Sequence, residues 1–259
     1  GLGHAPAVHK GFDIYSAAVP VCFLAFFLND NLYKTIGIDL PGTATDMTVA
    51  NQGIVNIFCL VVFGLCVVLA LAMGCTPGKY LKMLTAKDHV GNVSGTQGKE
   101  VFLMNVGIFG LFILAYYNLI GASFNSVTFG IIFCMLCTAN SGSHPGNVWP
   151  IMLGYVVGSF GFAALSGLAG GNYAMTINAQ AIAIGLCFAN GLSPITSKYG
   201  WFWGMVSAVM HFLLVTSVPN MHGGFCLYNG GFTAAVICVL LVPVLEKLCK
   251  TRAEKAAAK

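Results

Sequence analysis

Between Glu100 and Glu246 the chain carries a single charged side chain, Lys198. No water-soluble domain can be built from such a stretch, because about a quarter of the residues in a soluble domain are charged. Over all 259 residues the charged fraction is 8%, against 57% hydrophobic. A soluble enzyme, a disordered segment, a coiled coil and a nucleic-acid-binding domain are excluded together, and the net charge of +4 is no binding signal. The expected fold is all-α: a polytopic integral membrane protein whose partner is the lipid bilayer, since helices satisfy their own backbone polar groups in hydrocarbon.

Apolar segments run over about 14–28, 53–74, 101–120, 126–138, 148–169, 177–190, 201–219 and 230–248. A helix that crosses roughly 30 Å of hydrocarbon needs about 20 residues. The second, third, fifth, seventh and eighth segments meet that length, and the first, fourth and sixth fall short. Short segments among long ones predict thin spans, half-helices or re-entrant pieces that end inside the protein. We therefore expect one membrane domain over 1–259 with about eight membrane segments, some short or broken. The 75–100 stretch reads as an ordinary cytoplasmic loop, and 247–259 as a solvated cytoplasmic extension of the last helix. Whether 126–147 and 177–200 cross the bilayer or turn back within it stays open at this level.

If all eight segments cross, the charges test the topology. Lys10, Lys79, Lys82, Lys87, Lys99, Lys198, Lys247, Lys250, Arg252, Lys255 and Lys259 fall on one side, and Lys34 alone falls on the other, with Asp30, Asp39 and Asp46. Basic residues collect in cytoplasmic loops, so both termini are predicted to be cytoplasmic, in the cell inner or plasma membrane. The chain starts Gly1-Leu2-Gly3-His4, as expected of a processed product or a piece of a longer protein, and no stretch reads as a cleavable signal. Cys59, Cys66, Cys134, Cys137, Cys187 and Cys238 lie in apolar runs, where cysteine serves as a small hydrophobe.

Two stretches resemble each other at an offset of 50 residues. Ala139-Asn140-Ser141-Gly142-Ser143-His144-Pro145 aligns with Ala189-Asn190-Gly191-Leu192-Ser193-Pro194. Each follows a short apolar segment with a cysteine near its end, Cys137 or Cys187. Each precedes an aromatic-rich helix start, at Trp149-Pro150 or Trp201-Phe202-Trp203, and Gly154 and Gly204 also coincide. One reading is a short helix, a broken polar turn and a long helix used twice, with internal repeat units at about 126–170 and 177–219. The other is a pair of similar cytoplasmic loops. Duplicated broken helices are the means by which transporters build a polar site inside the membrane. The Gly-rich, aromatic stretch Asn220–Phe232 reads as a packed loop that enters the protein. The GxxxG spacings at Gly154/Gly158 and Gly200/Gly204 read as close helix packing.

Ionisable residues within membrane segments are costly and mark candidate sites; here they are His144, His211 and His222, with Asp46 at the mouth of the second segment. Mid-helix His211 is expected to be structural, satisfied by a hydrogen bond to a neighbouring helix. The candidate pore or substrate-binding residues are Asn140, Ser143, His144, Asn147, Asn190, Ser193, His222, Tyr228 and Asn229. Their amides would replace solute hydration, with Trp149, Phe225 and Tyr228 narrowing the path. No HExxH, GxSxG or Walker A pattern and no paired carboxylates are present, so an enzyme is not expected. No cofactor or metal is expected either. The Cys134/Cys137 pair and the set His144, Met221, His222 and Cys226 are too sparse for a metal site. No carboxylate falls in segments three to eight before Glu246. These features point to a channel or transporter for a small polar solute or ion, working through neutral hydrogen-bonding groups. The alternative is a non-transporting subunit that packs against membrane partners or a cofactor, and a homo-oligomer is compatible with either.

Three stretches, Ser143-His-Pro-Gly-Asn-Val-Trp-Pro-Ile-Met-Leu-Gly154, Leu192-Ser-Pro-Ile195 and His222-Gly-Gly-Phe-Cys-Leu-Tyr-Asn-Gly-Gly-Phe232, resemble a bacterial polytopic membrane family known as domain of unknown function fifteen seventy-six. The resemblance covers roughly 103–246. It implies membrane embedding and internal repeats, and no substrate. At the level of fold analogy, Tyr228-Asn-Gly-Gly-Phe232 followed by an Ala-rich helix also looks like the repeat ends of urea-channel proteins.

Overall fold

The computed structural model describes residues 2–37, 51–172, 175–218 and 229–258. The described residues are helical, with no β-strand among them. The elements are α1 (Ala18–Asn29), α2 (Gln52–Ala72), α3 (Pro77–Leu84), α4 (Lys99–Leu119), α5 (Ser126–Leu136), α6 (Pro145–Leu168), α7 (Gln180–Ala189), α8 (Ser193–Tyr199), α9 (Trp201–Val215), α10 (Asn229–Leu248) and α11 (Arg252–Ala257).

Local chemistry sets the helix starts. The Asn51 side chain accepts the Ile54 N–H and caps α2. Asn125 accepts the Val127 and Thr128 N–H groups, and Thr128 Oγ1 accepts the Asn125 N–H in return, so α5 begins on a reciprocal cap. Pro77 and Pro145 open α3 and α6, where the absent proline N–H would have had no partner in any case.

Four helices are long and apolar enough to cross a membrane: α2, α4, α6, and the run from α10 into the tail. Ala18–Asn29, Ser126–Ala139 and Trp201–Val215 are shorter. Two expectations about length need correction. The 201–219 segment yields a helix of only 15 residues; Pro219 follows in sequence and disfavours helix in the residue before it. The sixth segment is longer than its apolar run. After α7 the chain makes a 3-10 turn at Asn190–Leu192 and continues as α8 to Tyr199.

That broken helix is the centre of the molecule, and every residue from Gly185 to Ser197 is buried. By contrast α2, with a mean hydropathy of 3.0, is only 17% buried. Hydropathy measures aversion to water, and lipid or protein satisfies that aversion equally well. The most apolar helix can therefore be peripheral while a more polar one is central.

Glycines let two helix pairs approach closely. A Cβ at Gly107 or Gly110 of α4 would stand 2.7 Å from Val67 or 2.6 Å from the Phe63 ring of α2. A Cβ at Gly154 or Gly158 of α6 would stand 2.6 Å from Ala208 or 2.8 Å from the Phe212 ring of α9. Gly154 and Gly158 thus fulfil the packing role read from their spacing. Gly200 instead ends α8 at φ +102, a conformation that glycine adopts freely.

The bundle has two chemically distinct ends. At one, Lys10 pairs with Glu246, Lys79 pairs with Glu100 at 3.0 Å, and the Lys198 ammonium lies 5.1 Å from the Phe12 ring centroid. At the other, Gln52 Nε2 donates to Phe124 O at 2.9 Å, Asn118 Nδ2 donates to Asn56 Oδ1 at 2.7 Å, and Asn125 Nδ2 donates to Gln180 Oε1. Because Asn125 lies at this second end and Asn140 at the basic one, the 126–147 stretch connects the two ends.

The 75–100 segment and the tail carry helical structure of their own, and no residue of α11 is buried. Residues 75–100 contain α3 and a helical turn at Val93–Thr96, with a small core of Ala70, Cys75, Tyr80, Met83, Val93, Val101 and Met104. The tail breaks after Leu248, Thr251 caps α11, and Arg252 Nη1 donates inward to Ala86 O at 3.1 Å and Ser197 O at 3.2 Å. An unsatisfied carbonyl at a broken helix is a strong acceptor for a guanidinium, so the tail folds back onto α8.

Candidate functional site

The two breaks meet. α5 passes through a 3-10 turn at Cys137–Ala139 into the polar turn 140–144, and this turn packs against the Asn190–Leu192 turn and α8. Asn105 marks the depth of the meeting point. It lies one and a half turns into α4, about 9 Å from the helix start at 1.5 Å per residue. Its Nδ2 donates to Ala139 O at 3.2 Å and Ser143 O at 2.9 Å, and its Oδ1 accepts from the Tyr80 hydroxyl at 3.2 Å. The break therefore sits toward the basic end of the bundle, between Asn105 and the 75–100 segment, where backbone groups freed from the helix ladder take side-chain partners.

Equivalent positions of the two stretches touch each other. Ser143 Oγ and Ser193 Oγ, 50 residues apart, share a hydrogen bond of 3.1 Å. Asn147 Nδ2 donates to Ser197 Oγ at 3.0 Å, again across 50 residues. Beside them, Thr138 Oγ1 donates to Asn190 Oδ1 at 3.3 Å and Asn190 Nδ2 donates to Met135 O at 3.4 Å. Asn147 is doubly used: its Oδ1 accepts the His144 N–H at 2.9 Å and its Nδ2 also reaches Gly142 O at 2.9 Å. Ser143, Asn147, Asn190, Ser193 and Ser197 are all buried.

His144 is buried beside this cluster, and its Nδ1 has no hydrogen-bond partner. Thr196 Oγ1 is likewise buried and without a partner, held against Gly204 of α9.

The remaining candidates separate. Asn140 turns toward the 75–100 segment: its Oδ1 accepts the Ser94 N–H at 2.9 Å and its carbonyl accepts the Val93 N–H at 2.8 Å. Asn229 lies at the opposite end of the bundle, where its Nδ2 donates to Val215 O at 3.5 Å. His222 and Tyr228 lie outside the described residues, as do Asp46, Met221, Phe225 and Cys226. Trp149 stacks on Trp201 at 6.1 Å, and both rings are exposed on the outside of the helices rather than turned inward. His211 is fully buried; it accepts from the Tyr155 hydroxyl at 2.7 Å through Nδ1 and donates to Gly230 O at 2.8 Å through Nε2. That bridge joins α6, α9 and α10, in keeping with the structural role expected for it. The cysteines expected to be small hydrophobes, Cys59, Cys66, Cys134, Cys137, Cys187 and Cys238, are free thiols.

The sequence reading missed Asn105, Thr138, Thr196 and Ser197. Two signals were available. Asn105 is an isolated amide in a strongly apolar run, and carrying the 50-residue offset on to Asn147 pairs it with Ser197. The resulting cluster is neutral and dense in donors and acceptors, chemistry suited to a polar solute. Among the described residues no three His, Cys, Asp or Glu side chains are grouped to hold a metal ion.

Comparison with curated proteins and with solved structures finds no match. The model of a family described as "Protein of unknown function (DUF1576)" matches residues 78–247, which take in α4 to α9 and both breaks. The chain belongs to the DUF1576 family of proteins of unknown function.

Proposed function

We propose that this protein is a membrane channel or transporter for a small polar solute or ion, whose path runs between the two broken helices. The observation that carries the reading is the pairing of buried neutral side chains, Ser143 with Ser193 and Asn147 with Ser197, with the unpartnered His144 Nδ1 and Thr196 Oγ1 beside them. The paired arrangement is the closed form. Opening exchanges hydrogen bonds between side chains for hydrogen bonds to solute. A polar pair between membrane helices is worth only about 0.6 to 2 kcal/mol, so a bound solute can replace it. The two stretches act as internal repeats of about 126–170 and 177–219 in a fold of about eight membrane segments. The gathering of Lys10, Lys198 and Arg252 at one end supports placing both termini on the cytoplasmic side of the inner membrane. The function is solute passage, without enzymatic chemistry.

The test is flux into proteoliposomes against a panel of urea, ammonium, formate and divalent metals, with wild type compared to Asn147→Ala and Ser193→Ala. We expect protein-dependent entry of at least one solute, altered several-fold by either variant. Entry no faster than in empty vesicles for the whole panel would overturn the proposal, as would identical flux in all three proteins. A second reading, a non-transporting subunit, draws on the apolar groove of about 270 Å³ along α1 and α10, lined by Val19, Phe23, Phe232 and Val236 among others. Co-purification of a stoichiometric membrane partner together with absent flux would favour it.

A further inference from the structure

The segment ahead of α1 brings a carboxyl group onto the second break. Asp13 is 2% exposed and His9 1%. The chain reaches this position through a tight reversal at Lys10 (φ +52) and Gly11 (φ +77). The Ile14 N–H then donates to Gly191 O at 3.2 Å, inside the 3-10 turn that separates α7 from α8. A Cβ on Gly191 would stand 2.7 Å from Asp13 Oδ1, so the carboxyl is pressed against the break itself.

Its two oxygens are treated differently. Oδ1 accepts the Tyr15 N–H at 2.9 Å. Oδ2 is buried and has no hydrogen-bond partner. The neighbouring groups supply no counter-charge. On the same segment, His9 Nδ1 accepts the Asp13 N–H at 3.1 Å and its Nε2 faces Ser16 Oγ at 2.9 Å. His9 is therefore the neutral tautomer with its proton on Nε2, and burial lowers its pKa. The Lys10 ammonium is paired with Glu246 of α10, and the Lys198 ammonium of α8 is over Phe12. The Tyr15 phenol and the Cys238 thiol of α10 also interact electrostatically with the carboxyl. Burial pushes the Asp13 carboxyl up to about 8, against the opposing pull of the Tyr15 N–H. A cleft of about 160 Å³, lined by Lys10, Gly11, Phe12, Asp88, His89, Pro194 and Lys198, adjoins the segment at the basic end.

We propose that Asp13 is the proton-binding group of this protein and that its protonation controls the packing of the Asn190–Leu192 break, so that proton binding is coupled to solute passage. The coupling rests on the transport reading; the proton site does not. The step is a single proton transfer. When the segment moves toward the cleft, hydronium gives a proton to the carboxylate: one O–H bond of hydronium breaks, leaving water, one O–H bond forms on Asp13, and the neutral acid fits the dry position beside Gly191. Loss of the proton to water leaves an unpaired charge there, which low-dielectric surroundings penalise heavily. The carboxylate then favours movement toward the cleft and its two lysines. Because Ile14 is tied to Gly191 O, that movement disturbs the turn holding Asn190 and Ser193.

Two measurements on the reconstituted full chain decide the matter. Infrared difference spectroscopy across pH 5–9 reads the carbonyl stretch of a protonated carboxyl. We expect a band in wild type that titrates near pH 8, is absent in Asp13→Asn, and titrates at a different pH in Asp13→Glu. The last variant keeps the acid, and the midpoint decides the question should Asp13→Asn fail to fold. Absence of the band in wild type, its persistence in Asp13→Asn, or an unmoved midpoint in Asp13→Glu would overturn the proton site, whatever the flux shows. The second measurement is the ratio of solute flux with and without an imposed pH gradient, expected to exceed one in wild type and to fall to one in Asp13→Asn. A wild-type ratio of one, with measurable flux, overturns the coupling. Absence of all flux overturns the transport reading and the coupling with it, and the infrared result still decides the proton site alone.

Discussion

Asp13→Asn should change the pH dependence of stability in a calculable way. In the unfolded chain an aspartate titrates near 3.9, while in the folded protein burial pushes Asp13 up to about 8. Between those values the folded state holds a proton that the unfolded state has lost. Stability therefore falls as pH rises through this window, by about 1.4 kcal/mol per unit. The contribution is intact below about pH 4 and is exhausted above about pH 8, a total on the order of 6 kcal/mol. Asparagine keeps the acceptor for the Tyr15 N–H and carries no charge at any pH. Its NH₂ takes the place of Oδ2, which has no partner, at a pH-independent cost of about 1–3 kcal/mol. The variant should lie within about 1.5 kcal/mol of wild type at pH 5 and gain about 4 kcal/mol relative to it by pH 8, where it is the more stable protein. Unfolding of both proteins in the same detergent at pH 5, 6.5 and 8 measures this, and the other titrating groups cancel in the comparison. A difference that does not change with pH would refute the reasoning, since it would mean that Asp13 titrates alike in both states.

Three further outcomes follow from named contacts. Gly154→Ala places a Cβ 2.6 Å from Ala208 Cβ and Met205 O, and should cost about 1–3 kcal/mol by forcing α6 from α9. Gly161→Ala, with nothing within 4 Å, is the control and should leave the melting temperature unchanged or slightly raised; equal effects at the two sites would contradict the packing. His211→Phe removes the bridge from Tyr155 to Gly230 O and should lower stability by about 1–3 kcal/mol, while flux per folded molecule stays near wild type. A loss of flux without a loss of stability would move His211 into the solute path. Trypsin should cut at the tail residues Lys247, Lys250 and Lys255 in inside-out vesicles and spare them in right-side-out vesicles; the reverse pattern would invert the proposed orientation.

The legible part of the fold was whatever can be summed along the chain. Long apolar runs without charge specified helices, and the helix limits at α2, α4 and α10 fall close to where hydropathy changes. The 50-residue offset was visible as a similarity, and it proved to mark contacts, Ser143 to Ser193 and Asn147 to Ser197. Where polar residues were buried in pairs, the sequence misled. The sixth apolar segment stopped at Asn190 because Asn190, Ser193 and Ser197 look like the start of a loop, yet all are buried. Nothing in the charged tail signalled that Arg252, on a helix with no buried residue, donates to Ser197 O.

Asp13 shows the division most clearly. The sequence alone determined that this chain is helical and that several of its helices are apolar enough to span a membrane, because hydropathy belongs to each residue wherever it lies. Only the tertiary structure decided that Asp13, in a short N-terminal segment ahead of the first apolar helix, is buried against Gly191. It alone decided, too, that the most apolar helix is peripheral and the broken polar one central. The physical reason is that the cost of a polar group depends on its partner, and partners here are set by where helices cross. Residues far apart in sequence become a single site once their unsatisfied donors and acceptors are brought within about 3 Å.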